Sequence, residues 1–62
     1  MTKAEEISIH EAYCQTFEKQ IAALKLIVDG KDREKSRNAA GAMHDAELNL
    51  HIHEHALEVL RH

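Results

Sequence analysis

Histidine is the residue type in this chain that is best suited to do chemistry. The chain has 62 residues and six histidines, five of which lie in its last nineteen residues. Neutral imidazole binds zinc, copper and iron, and histidine changes charge close to neutral pH. Two of the six fall within a regular apolar pattern, His10 and His53, whereas four lie outside it, His44, His51, His55 and His62.

The pair within the apolar pattern admits two interpretations. A buried metal or haem site would use the imidazoles of His10 and His53, and a dimer would bring four such rings together. The alternative, which we adopt, is a layer of neutral, hydrogen-bonded histidines that fixes the register of packed helices, as a buried asparagine does in coiled coils. Glu11, Glu54 and Tyr13 lie close by in the chain as hydrogen-bond partners.

The outward histidines include one weak metal-binding pattern. His51, His55 and Glu58 stand at i, i+4 and i+7, so their side chains converge on one face of a helix. The catalytic zinc motif His-Glu-x-x-His is absent, because Leu57 stands where its second histidine belongs. The Glu-x-x-His pair of di-iron bundles is absent as well. We therefore interpret these residues as a solvated face and expect neither a metal nor another cofactor.

The single cysteine, Cys14, cannot form a disulfide within the chain. A nucleophilic thiol needs a base and an exposed, electropositive setting, and His10 lies one helical turn away as a candidate base. No oxyanion-hole loop or second catalytic motif accompanies the two, so we expect that the protein is not an enzyme.

Because we find no secretory leader and no membrane-spanning apolar run, we expect a cytoplasmic location and no membrane partner.

The composition favours helix over sheet. Proline is absent, glycine occurs twice, and only two residues are aromatic. Thr2 and Glu5 have the spacing of a capping box, in which each side chain accepts a hydrogen bond from the other residue's backbone. A first helix is therefore predicted over about 3–29, and it should stop at Gly30, a residue suited to the position after a helix.

A second helix is predicted after a short polar turn at about 29–32. Asp32 is suited to cap this helix, which should run over about 33–61 and complete a single domain. The segment 36–42 is its weakest part, because the segment is small, polar and interrupted by a glycine. A helix that starts later, near Asn38, is the alternative.

Apolar residues recur at alternating spacings of three and four along both predicted helices, so each helix has one seam that faces a partner. When the second helix folds back, the residue numbers of facing seam positions add to 63 or 64, which sets His10 opposite His53. The predicted fold is all-α, an antiparallel helical hairpin. Its predicted core and dimer residues are Ile7, His10, Cys14, Phe17, Ile21, Leu24, Val28, Met43, Ala46, Leu50, His53, Leu57 and Leu60.

Two helices cannot cover both sides of such a seam. A chain of this length buries only about 60% of the surface that its unfolded form exposes, and small domains commonly need a partner chain. We therefore expect a homodimer that forms a four-helix bundle. Further apolar residues fall outside the seam and would form a binding patch if they cluster: Ile9, Leu26, Leu48, Ile52 and Val59.

Basic residues alternate with acidic ones around the turn. The turn and the start of the second helix carry Lys31, Arg33, Lys35 and Arg37. One interpretation is a basic tip that contacts nucleic acid or an acidic protein. The other is an ordinary solvated turn, which we prefer because the interleaved acids weaken the local field. The formal net charge of −3 is also not that of a typical DNA-binding domain.

This chain resembles the Rop (Rom) family of plasmid RNA-binding proteins in its overall length, its first three residues (MTK), its turn position and the stretch 43–48 (MHDAEL). The resemblance implies a hairpin that dimerises into an antiparallel four-helix bundle and binds paired RNA loops with one face of its first helices. Lys3 and Lys25 match lysines of that face. Where the family has an asparagine, a phenylalanine and a glutamine, this chain has His10, Cys14 and Glu18.

The leading functional hypothesis is a small regulatory or accessory protein, encoded by a phage or plasmid, that binds another protein through an outer helix face as a homodimer. In kind, the chain is similar to the small helical accessory proteins of temperate phages. The competing hypotheses are an RNA-binding bundle and a histidine-based metal or haem binder. RNA binding would weaken steeply as salt rises, whereas docking of an apolar helix face would not.

Overall fold

The computed structural model describes all 62 residues and contains two α-helices and no strand. Helix α1 spans Lys3–Val28 and helix α2 spans Arg33–Arg61, with residues 29–32 forming the turn. The molecule is a narrow rod with extents of 46 × 15 × 13 Å. The prediction of an all-helical chain with two helices is confirmed.

The capping box at the start of α1 is formed. The Thr2 hydroxyl accepts a hydrogen bond from the Glu5 backbone N–H at 3.1 Å, and the Glu5 carboxylate accepts one from the Thr2 backbone N–H at 3.4 Å. These bonds satisfy two backbone groups at the helix start, one of them a first-turn donor that has no partner within the helix. Glu5 and Glu6 also place negative charge at the positive end of the helix dipole.

Helix α1 stops before Gly30, as predicted, but without a left-handed glycine. No residue has a positive φ, so Gly30 does not adopt the left-handed conformation that ends many helices. Instead the Gly30 N–H donates to the Ile27 carbonyl at 3.0 Å, three residues back, and the helix tightens as it ends. Asp29 is the capping residue, and its N–H donates to the Lys25 carbonyl at 2.9 Å.

Helix α2 begins directly after the turn and includes the weak segment 36–42. The Asp32 carboxylate accepts from the Lys35 backbone N–H at 3.0 Å, which caps the helix at the predicted residue. The Ser36 hydroxyl then donates to the Val28 carbonyl at 2.7 Å, which joins the start of α2 to the last turn of α1. The later start near Asn38 is therefore wrong.

Contacts near the turn and further along the seam align the two helices antiparallel. Ser36 bonds to Val28 near the turn, and His10 meets His53 further along. Arg61, at the end of α2, reaches back to form an ion pair with Glu11 at 3.5 Å, beside the histidine pair. The residue numbers add to 64 for the Ser36–Val28 pair and to 63 for the His10–His53 pair, as predicted for facing seam positions. The two helices therefore pack along most of their length.

The seam between the helices is only partly removed from solvent. Four residues are buried, Cys14, Ala39, Ala46 and Leu57, and no side chain is fully buried. The remaining predicted core residues are half-buried: Ile7, His10, Phe17, Ile21, Leu24, Val28, Met43, Leu50, His53 and Leu60. The hairpin therefore covers one side of each apolar stripe and leaves the other side open.

We expect Gly41→Ala to stabilise the protein by about 0.5–1 kcal/mol, because alanine restricts the unfolded chain and favours helix. A Cβ at Gly41 meets no atom within 4 Å. Gly30→Ala is the matched control, because its Cβ would lie 3.1 Å from the backbone carbonyl oxygen of Ile27. Urea unfolding at one protein concentration measures both changes. Equal stabilisation by the two variants would contradict this account of the turn.

Candidate functional site

The imidazole rings of His10 and His53 meet head-on across the seam. Their Nδ1 atoms lie 2.7 Å apart and their ring centroids lie 5.0 Å apart. The distance between the centroids exceeds the distance between the Nδ1 atoms by 2.3 Å. A five-membered ring with bonds of about 1.35 Å has a radius of about 1.15 Å, so this difference equals the two ring radii added together. Each Nδ1 therefore lies on the line that joins the two centroids and points directly at the other ring.

This geometry requires one histidine to donate and the other to accept. One ring must carry its proton on Nδ1, and the Nδ1 of the other ring must be unprotonated. When both rings are neutral they are therefore opposite tautomers. The Nε2 atoms of His10 and His53 form no hydrogen bond within the chain. The pair has the chemistry of a register-fixing polar layer, in which each imidazole satisfies the other.

Two aromatic rings hold His53 in place. The His53 ring stacks on Tyr13, with centroids 4.6 Å apart and planes 8° apart, and lies 5.8 Å from Phe17 with planes 19° apart. We call His10, Tyr13, Phe17 and His53 the aromatic cluster. Tyr13 is 49% exposed, so the cluster is open on one side of the hairpin. The sequence placed Tyr13 beside the seam, and its stacking on His53 was not predicted.

The head-on contact does not suit a shared metal ion. Two imidazoles that bind one ion direct their lone pairs at a third point, whereas the Nδ1 atoms of His10 and His53 point at each other. The structure also brings together no group of three histidine, cysteine or acidic residues that could hold a metal ion. His51 instead pairs with Glu54 at 3.2 Å, away from His55 and Glu58.

Cys14 is buried in the seam at 8% exposure, beside an open groove. Burial raises the pKa of the Cys14 thiol, and the nearby carboxylates of Glu54 and Glu18 raise that pKa further. This setting favours the neutral thiol over the reactive thiolate. The structure forms no hydrogen bond between Cys14 and His10, whose Nδ1 bonds to His53. The structure therefore does not form the candidate Cys–His pair.

The two broad sides of the hairpin differ in chemistry. One side, which we call the apolar face, exposes Ile9, Tyr13 and Ile27 at 41%, 49% and 44%. Near the turn it contains an open groove of about 470 Å³, lined by Leu24, Ile27, Lys35, Asn38, Ala39 and Ala42. The groove exists because α2 offers small residues there. The opposite side carries the carboxylates around Cys14, together with Arg61.

A separate apolar stripe lies on the outer side of α2, away from α1. Leu48, Ile52 and Val59 are 51%, 63% and 61% exposed there, and their spacing places them on one face of the helix. The only comparable residue on the outer side of α1 is Leu26, which is 77% exposed and stands alone. The outer stripe of α2 is therefore the larger apolar surface outside the apolar face.

Six basic residues were predicted to contact nucleic acid or an acidic partner: Lys3, Lys25, Lys31, Arg33, Lys35 and Arg37. All six are exposed, and none forms an ion pair. The structure does not bring all six together. Lys3 begins α1, whereas the other five lie near the turn, about 30 Å or more away along the helix at 1.5 Å per residue.

No protein-family model, curated protein or solved structure matches this chain. Neither helix combines the length and the apolar character that a membrane crossing requires.

Proposed function

We propose that this chain is a non-enzymatic homodimeric helical module that binds another protein through the outer side of α2. The observation that carries the dimer is the open seam: ten of the thirteen predicted core residues are only half-buried. The apolar face lies beside that seam, so a second copy packed on it would bury both. The result would be a four-helix bundle.

The energy available from this face is large for so small a chain. Complete burial of a large apolar side chain contributes about 1.5–3 kcal/mol, and the half-buried residues include Phe17, Ile21 and Leu24. The whole stability of a small domain is about 5–15 kcal/mol. A face 46 Å long and 15 Å wide covers about 700 Å², close to the roughly 800 Å² per partner of a standard interface.

The chemistry of the site supports a non-enzymatic role. His10 and His53 use their Nδ1 atoms to bond to each other, and the Cys14 thiol has a raised pKa that disfavours the thiolate. The Thr16 and Ser36 hydroxyls donate to backbone carbonyls, and the Thr2 hydroxyl, which donates to the Glu5 carboxylate, is engaged in the helix cap. Binding is therefore the function that the arrangement supports best.

The outer stripe of α2 supports a protein partner. Leu48, Ile52 and Val59 face away from α1 and would stay exposed when a second copy covers the apolar face. The segment 45–62 around them carries four acidic residues and one arginine. We propose that the stripe binds an amphipathic helix of another protein whose apolar side is flanked by basic residues.

The dimer is tested by comparing two neighbouring glutamate substitutions. Ile27 lines the groove of the apolar face, whereas Leu26 lies on the outer side of α1. We expect Ile27→Glu to make the protein largely monomeric, because two charges would be buried in each dimer, while Leu26→Glu stays dimeric. Sedimentation equilibrium measures both. A dimer Kd above about 0.1 mM is weak for a dimeric module. Wild-type protein that stays monomeric up to that concentration would overturn the proposed dimer.

The partner surface is tested with Ile52→Glu, using Leu26→Glu as the control. Both variants should remain dimeric. Immobilised Ile52→Glu should retain at least about tenfold less of the protein that immobilised wild type captures from bacterial lysate, whereas Leu26→Glu should retain as much as wild type. Capture should survive nuclease and high salt. Retention that disappears with nuclease and falls steeply with salt would instead support the RNA-binding hypothesis. Equal retention by the two variants would place the contact elsewhere.

A further inference from the structure

We propose that the outer side of α2 binds a divalent transition-metal ion of the class that imidazole favours, such as zinc, with His51 and His55 as its two protein ligands. Glu54 is the positioning residue that orients the His51 ring. Both histidines are exposed on the side of α2 that faces away from the seam. The site therefore does not depend on the proposed dimer, and it goes beyond the proposed binding of a protein partner.

The four outer histidines form one exposed row along α2. They are separated by seven, four and seven residues: His44, His51, His55 and His62. This spacing places all four within about 40° of one another around the helix axis. The middle two are about 6 Å apart along the axis, whereas each outer one is about 10.5 Å from its nearest neighbour in the row. Only His51 and His55, which stand one turn apart, can therefore share an ion.

The contact between His51 and Glu54 favours one ring nitrogen of His51 as the metal ligand. The His51 Nδ1 lies 3.2 Å from a carboxylate oxygen of Glu54. Because an ionised carboxylate only accepts hydrogen bonds, this contact favours the tautomer with its proton on Nδ1 and its lone pair on Nε2. Histidines that bind metal ions commonly have such a carboxylate at the second ring nitrogen, where it fixes the tautomer and makes the ligand nitrogen more basic.

The same contact leaves space for the ion on the His55 side. Glu54 follows His51 by three residues and His55 follows it by four, so the two flank His51 on opposite sides of the helix surface. Glu54 therefore occupies Nδ1 without standing between the two histidines. The sequence alone favoured a solvated face here, and the Glu54 contact is the observation that changes this interpretation.

The proposed site is an open one. Two histidines fill two of the four positions that zinc commonly takes in proteins. The structure brings together no group of three histidine, cysteine or acidic residues that could hold a metal ion, so the other two positions go to water or to a donor from another molecule. Structural zinc sites have four protein ligands. The ion proposed here is therefore bound reversibly and contributes nothing to forming the hairpin.

The charge around the two histidines favours a cation. The segment 45–62 carries four acidic residues and one arginine. Glu54 and Glu58 stand one turn apart along one edge of the histidine row, and both are exposed. The arginine, Arg61, is directed towards α1, where it pairs with Glu11. A metal ion on the row is therefore attracted by nearby carboxylates and meets no opposing positive charge there.

Titration of the full chain with zinc, without an affinity tag, tests the two ligands. We expect His51→Gln and His55→Gln each to raise the zinc Kd at least about tenfold, because each removes one of only two protein ligands. His44→Gln and His62→Gln are matched controls in the same row, and their zinc Kd should stay within about threefold of wild type. Isothermal titration calorimetry at neutral pH measures all four. Equal losses in the four variants would overturn the site, as would wild-type protein that binds no zinc up to about 1 mM.

The positioning role of Glu54 has its own test. We expect Glu54→Gln to raise the zinc Kd about tenfold and to leave the melting temperature of the zinc-free protein unchanged, because the contact with His51 is exposed and adds little stability. Glu47→Gln is the control, because it removes the same charge one turn before His51 without a contact to that ring. An equal rise in Kd for both variants would assign the effect to charge alone and overturn the positioning role.

Discussion

Two packed helices cover each other along a single line of contact, and the apolar stripe of α1 is wider than that line. Tyr13 and Ile27 lie beside the seam and remain 49% and 44% exposed. Ordering the backbone costs about 1–2 kcal/mol per residue, and 55 of the 62 residues are helical. That cost must be offset by burial, yet the hairpin buries only four residues. Its incomplete core is therefore the constraint from which the proposed second copy and the proposed function follow.

The histidine pair trades stability for a defined register. Apolar side chains at these positions would pack without the cost of removing two polar rings from water. A slide of one heptad, however, would set His10 opposite Ala46 or Leu60. It would leave an imidazole without its partner in a largely apolar seam, at a cost of about 1–3 kcal/mol. The stacking of His53 on Tyr13 adds a second restraint, because it fixes the plane of the ring that must meet His10.

Much of the fold follows from the order of residues, because helix caps and periodicity are local properties. Thr2 and Asp32 act as the predicted caps, and the pairing sum sets His10 opposite His53. Side-chain rotation is not encoded in that periodicity. The head-on meeting of the two rings depends on rotamers, and so does the absence of a hydrogen bond between Cys14 and His10. The predicted stop at Gly30 is confirmed, but its conformation does not follow from the sequence, because glycine permits the left-handed conformation without requiring it.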